Sequence, residues 1–92
     1  MYVYMMTNNK NTALYTGMTN DLERRVKEHK SSKNSGFTSK YKCHKLVLFE
    51  IYDTPLKAIR REKQIKAGSR KKKNELVNSQ NKEWKDLSAD WD

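Results

Sequence analysis

The first eighteen residues limit the fold more than any other part of the chain. YVYMMT and ALYTGM are both rich in β-forming side chains, and TNNKNT, Thr7 to Thr12, is a polar turn between them. Two β runs across so short a loop make an antiparallel hairpin. On the second strand Ala13, Tyr15 and Gly17 share one face, while Leu14, Thr16 and Met18 share the other. Glycine weakens a strand, so Gly17 marks a close approach or a bend.

Helix signals follow. Thr19-Asn20-Asp21 is an N-cap cluster that opens a helix running to about Lys30. SSKNSGFTSKYK, Ser31 to Lys42, has no period and reads as a loop, and KLVLFEIYD, Lys45 to Asp53, is the clearest strand. Thr54 caps a second helix with Pro55 in its first turn. Gly68 stops that helix after Ala67, and Ser69 caps a third, running to about Asn78. The order β-β-α-β-α-α gives an α+β fold, a three-stranded sheet flanked by helices. Ninety-two residues, 35% of them hydrophobic, set a single domain with a small core. We place that domain at residues 1–84 and a polar C-terminal tail at 85–92, broken only by Leu87 and Trp91.

Twenty lysines and arginines against eleven acidic residues leave a formal charge of +9. Such an excess suits a polyanion, since each contacted phosphate releases counterions. The expected partner is nucleic acid. No apolar run approaches the length of a spanning helix, and the N-terminus lacks an apolar segment followed by a cleavage site, so no membrane role is expected. One cysteine, Cys43, forms no internal disulfide, and no Cys/His spacing resembles a zinc site. A cytoplasmic location fits. Cys43 is either a small apolar filler or, flanked by Lys42, His44 and Lys45, a somewhat reactive thiol.

Helix geometry separates residues that composition lumps together. Leu22 and Val26 define the apolar stripe of the first helix, with Arg25 and His29 on its flank, one turn apart. Arg24, Lys27 and Glu28 point away. Arg25 is therefore either a snorkelling or salt-bridged arginine or a functional one, and His29 either a satisfied boundary histidine or a catalytic group. On the second helix Ala58, Ile59 and Ile65 set the buried face, and Glu62 falls among them. A carboxylate there needs a cation, either Lys66 one turn on or a divalent metal shared with phosphate oxygens. One chemistry uses all of these groups. Phosphodiester cleavage needs a cation on the phosphate, donors for developing charge, and a group that deprotonates the nucleophile.

These residues resemble the GIY-YIG endonuclease superfamily. YVY (Tyr2 to Tyr4) stands where GIY would, with Tyr2 in the glycine's place, and YTG (Tyr15 to Gly17) stands where YIG would. MTNDLERRVKEH is similar to the family's helix entry, and REKQIKAGSRKKKNEL resembles its later, glutamate-bearing motif. The likeness is closest to the small single-domain bacterial subfamily and spans Tyr2 to about Trp84. It implies an antiparallel sheet flanked by helices and a metal-dependent endonuclease acting in repair or nucleic-acid processing, on DNA ahead of RNA. By position, Tyr4 and Tyr15 would flank the attacking water, Arg25 would hold the scissile phosphate, and His29 matches a spot that relatives fill with His or Tyr. Glu62 would bind one Mg²⁺ or Mn²⁺. Either Asn74 or Asn81 matches a catalytic asparagine. Asn81 lies in NKEW, which resembles an NPxW element with Lys82 replacing its proline. Met18 stands where some relatives carry lysine, which leaves Lys40 as a substitute cation, with Arg70 as a further substrate contact. Larger members add a DNA-recognition domain, so a protein partner could supply specificity here. The competing reading is a non-catalytic nucleic-acid-binding module that keeps the fold.

Overall fold

In a computed structural model, which describes residues 1–31 and 41–91, the elements follow in the expected order. They are β1 (Tyr2–Thr7), β2 (Leu14–Thr19), α1 (Leu22–Lys30), β3 (Lys45–Ile51), α2 (Pro55–Ala67) and α3 (Arg70–Gln80). The strands form one antiparallel sheet in the order β2-β1-β3. Because β1 is central, Val3 to Thr7 are all buried.

Strand alternation divides the core between the two faces of the sheet. Val3 and Met5 pack with Val47, Leu48, Ala58, Ile65 and Val77, beneath α2 and α3. Tyr4 and Met6 pack with Leu22, Val26, Cys43 and Leu46, beneath α1. A bulge makes this division possible. Met5 pairs with Leu48 but Met6 with Leu46, leaving Val47 unopposed, so Leu46 and Leu48 reach opposite faces.

The helix starts are built as the cap residues require. Asp21 accepts from the Arg24 amide at 3.1 Å, Thr54 from Lys57 at 3.3 Å, and Ser69 from Lys72 at 3.1 Å. Gly68 differs from the left-handed stop that a glycine there suggests: its backbone is extended, with φ −74 and ψ 156. The chain turns at this point because Ser69 immediately caps α3.

Polar residues of the C-terminal segment cover the free edge of β3. The Leu46 amide donates to Asp86 Oδ1 at 3.1 Å, and the Leu46 carbonyl accepts from the Leu87 amide at 2.7 Å. Lys30 closes an ion pair with Asp86 at 2.8 Å, tying this segment to α1, and Trp91 sits edge-on to Phe49. The amide and carbonyl of Leu46 on this edge are thereby satisfied within the chain. Among the described residues no helix is long and apolar enough to cross a membrane.

Candidate active site

The site begins with Gly17. In the β1–β2 register Tyr4 lies directly opposite Gly17, and Tyr15 stands two residues back on the same face. A Cβ at Gly17 would meet Tyr4 Oη at 2.8 Å, Tyr15 Cε2 at 2.9 Å and Tyr4 Cζ at 2.9 Å. Only glycine lets both rings occupy that space. The expected close approach is thus between strand backbone and two tyrosines.

The α1 helix brings the next groups. Leu22, Val26 and His29 are its buried positions, spaced to face the sheet, and Arg25 lies at their margin with a third of its side chain exposed. His29 Nε2 is 2.9 Å from Tyr4 Oη, and both residues are almost wholly buried. The three rings of Tyr4, Tyr15 and His29 form a compact triangle, with centroids 5.4 to 6.1 Å apart.

Burial sets the protonation of this cluster. It pushes the Tyr4 phenol up to about 12, against the pull of the neighbouring Arg25 guanidinium. Burial, reinforced by the positive charge of Arg25, lowers the His29 imidazole to about 4. At neutral pH the pair is therefore a neutral phenol beside a neutral imidazole, and a proton can be shared between them. Arg25 is held firmly charged by the oxygens of Tyr4 and Glu28. Glu28 corrects the sequence reading. Instead of pointing away with Arg24 and Lys27, it folds back onto Arg25 at 3.0 Å.

The other candidates lie elsewhere. Glu62 is on α2, in sequence between Ala58 and Ile65 of the other core cluster, with an 18% exposed side chain and Lys66 at 3.5 Å. Arg70 donates to the carbonyls of Asn11 at 2.8 Å and Thr12 at 3.0 Å, and to Asn74 Oδ1 at 2.9 Å, so it clamps the β1–β2 loop. Asn81 is buried: its Nδ2 donates to the Val47 and Lys85 carbonyls, and its Oδ1 accepts from the Lys85 amide. The 81–84 turn closes without a proline through the Trp84 amide and the Asn81 carbonyl at 2.9 Å. Lys40 lies outside the described residues. Cys43 is fully buried and its thiol is pushed up by that burial, which makes it a filler.

Among the described residues no cluster of three or more His, Cys, Asp or Glu side chains forms a cage for a metal. The donor set available at Glu62 is one largely covered carboxylate whose cation, Lys66, is half exposed and displaceable. That suits Mg²⁺ or Mn²⁺ held by one carboxylate with water and phosphate oxygens, and does not suit a metal held by protein alone. Sequence reasoning does not reach the direct Tyr4–His29 bond. The inward position of His29 is legible, but its pairing with Tyr4 depends on where α1 crosses β1.

Comparison with known proteins points to one family. The family model for the GIY-YIG catalytic domain matches residues 1–75. A UPF0213 protein of Haloquadratum walsbyi is 41% identical over 76 residues, 83% of this chain and 84% of its own length. One from Staphylococcus saprophyticus is 36% identical over 76 residues, covering 83% of this chain and 92% of that protein. The solution NMR structure of a UPF0213 protein from Bacillus halodurans superposes with a TM-score of 0.60 at 30% identity, covering 97% of this chain and 95% of that one.

Proposed function

The chain belongs to the GIY-YIG family, a family of nucleases, and from that premise we propose that it is a metal-dependent endonuclease that hydrolyses phosphodiester bonds, with DNA as its substrate. The observation that carries this reading is the buried Tyr4–His29 hydrogen bond, seated over Gly17 with Tyr15 beside it and Arg25 at its margin.

In this reading Tyr4 and His29 act as a proton relay. As a water attacks phosphorus, its proton passes to Tyr4 Oη while the phenolic proton of Tyr4 passes to His29 Nε2. The phosphorus–oxygen bond to the leaving alcohol breaks, and bulk water protonates that oxygen. Arg25 holds the scissile phosphate and stabilises the charge that builds on it. Burial is the main cause of the lowered His29 imidazole, and phosphate binding offsets the smaller, added effect of the Arg25 charge, which makes the imidazole a somewhat better base when substrate is bound. Tyr15 orients the water. Glu62 would hold the divalent ion, which would supply positive charge to the scissile phosphate. Arg70 and Asn74 keep the β1–β2 loop in place, and Asn81 does the same for β3.

A cleavage panel tests this directly: single-stranded, duplex and branched DNA and RNA, each with Mg²⁺ or Mn²⁺, with Glu62→Ala as the control. The expected result is metal-dependent cleavage by the wild type, abolished in Glu62→Ala with binding nearly intact. Undiminished activity in the variant removes Glu62 as the metal ligand. A wild type that binds but cleaves nothing is a nucleic-acid-binding module.

A further inference from the structure

The positive charge of this protein is not spread evenly. Residues 55–80, which form α2, α3 and their junction, hold nine lysines and arginines against two glutamates, and so contribute seven of the nine net charges. On α1, by contrast, ion pairs Arg25–Glu28, Lys27–Glu23 and Lys30–Asp86 neutralise most of the helix. In the α2–α3 layer, Arg60, Lys63, Lys71, Lys72 and Lys73 have no carboxylate partner among the described residues. Between the two helices runs a groove of about 350 Å³ whose polar lining is Arg61, Gln64, Lys72 and Lys73. Arg61 is fixed there by both Glu50 oxygens, at 2.8 and 3.1 Å, and by Gln64 at 2.8 Å.

We propose that the α2–α3 layer is a sequence-independent docking surface for the sugar-phosphate backbone, separate from the Tyr4–His29 cluster on the other face of the sheet. The inference rests on the nucleic-acid reading above and deepens it. Uncompensated cations repel one another and are costly to hold together, and a polyanion relieves that repulsion. An anionic membrane would offer charge too. However, α2 and α3 turn Ala58, Ile65 and Val77 into the core, and Leu56 is their one large exposed apolar side chain among the described residues, too little to form an apolar stripe that enters a bilayer. Phosphate backbone fits what remains: a groove with fixed and flexible cations along its walls. Docking on this layer gives the domain a hold on a strand beyond the contact at Arg25, with Glu62 the member of the proposed cleavage machinery that shares α2 with it.

The test measures binding of fluorescein-labelled DNA by anisotropy, in EDTA, over a range of salt concentrations. Lys63, Lys71 and Lys72 are exposed and without ion-pair partners among the described residues, so Lys63→Ala/Lys71→Ala/Lys72→Ala leaves the core untouched. The slope of log affinity against log salt is expected to fall by about 2 to 3 in this variant, close to one for each phosphate no longer neutralised. Arg24→Ala/Lys27→Ala, which removes two exposed cations from α1, is expected to leave the slope nearly unchanged. An unchanged slope in the triple variant, or an equal loss in the α1 variant, overturns the proposal. So does preferential capture by anionic phospholipid vesicles that excess DNA cannot displace. With metal excluded, the outcome is independent of catalysis. A wild type that docks DNA through this layer yet never cleaves it keeps the surface and loses the nuclease. Cleavage with an unchanged slope does the reverse.

Discussion

Tyr4 Oη and His29 Nε2 lie 2.9 Å apart, joining the central strand to the last turn of α1 where neither side chain meets bulk water. Two neutral polar groups so placed depend on each other, because an unmade hydrogen bond in that setting costs far more than it would at the surface.

Tyr4→Phe tests that dependence. The ring and its packing remain, while the hydroxyl and the relay are lost. Cleavage is expected to fall on the order of 100-fold or more, the scale of a positioned proton-transfer group. His29 Nε2 loses its phenolic partner, and stability is expected to fall by about 1 to 3 kcal/mol. Cleavage rate and urea denaturation read the two effects separately. Full activity in the variant removes Tyr4 from the chemistry.

Acid should weaken the fold through His29. Unfolded, the imidazole takes a proton near 6.5; folded, it refuses one until about 4. Between those values the unfolded chain binds more protons, so stability is complete above pH 6.5 and is lost as pH falls through the window. The loss reaches about 3 kcal/mol. Glu50 and Asp86, held below their ordinary range chiefly by Arg61 and by Lys30 and Ser88 against the effect of burial, add their own losses only at lower pH. Urea denaturation at pH 7 and pH 5 is expected to show the drop in wild type and a flatter profile in His29→Gln.

Gly17→Ala isolates the close approach. Alanine ordinarily stabilises a strand relative to glycine. Here the new methyl would sit under 3 Å from both tyrosine rings, so one or both must move. The expected outcome is a loss of about 1 to 3 kcal/mol, the range for overpacking, together with loss of cleavage. A stabilised, fully active variant would contradict the seating of the tyrosines described above.

The adjacent arginines should behave differently. Arg25→Ala is expected to lower cleavage by about 100- to 1,000-fold, as when one donor to developing charge is removed. It should also raise the His29 pKa, readable from imidazole proton shifts, because a neighbouring positive charge is gone. Arg24→Ala, on the exposed side of α1, should do neither.

What the sequence makes legible follows from the range of each signal. Caps at Asp21, Thr54 and Ser69 are local, and so helices α1, α2 and α3 begin where expected. The inward faces of Arg25 and His29 follow from helical period alone. Long-range pairings are not legible. Arg70 and Thr12 are 58 positions apart, and nothing near either residue announces the other. Glu28 reads as outward because helical period describes where a side chain starts, whereas its carboxylate bends back to Arg25. The docking of residues 85–91 gives no sequence signal, because polar residues at an edge strand serve the backbone and leave no apolar pattern to detect.

Asn81→Ala separates architecture from chemistry. A matching asparagine motif makes Asn81 a catalytic candidate, yet both ends of its amide are engaged: Nδ2 with the Val47 and Lys85 carbonyls, Oδ1 with the Lys85 amide. Each lost bond leaves a partly or fully buried backbone group wanting a partner, and Val47 lies at the bulge that sorts Leu46 from Leu48. Removing the amide is expected to cost about 2 to 4 kcal/mol, two or more unsatisfied groups at the usual penalty. Turnover per folded molecule should be unchanged below the melting transition. Thermal melting and cleavage on the same preparation decide it. A variant with wild-type stability but no turnover returns Asn81 to the catalytic machinery, while a destabilised variant with normal turnover makes it the residue that holds β3 in register for Tyr4.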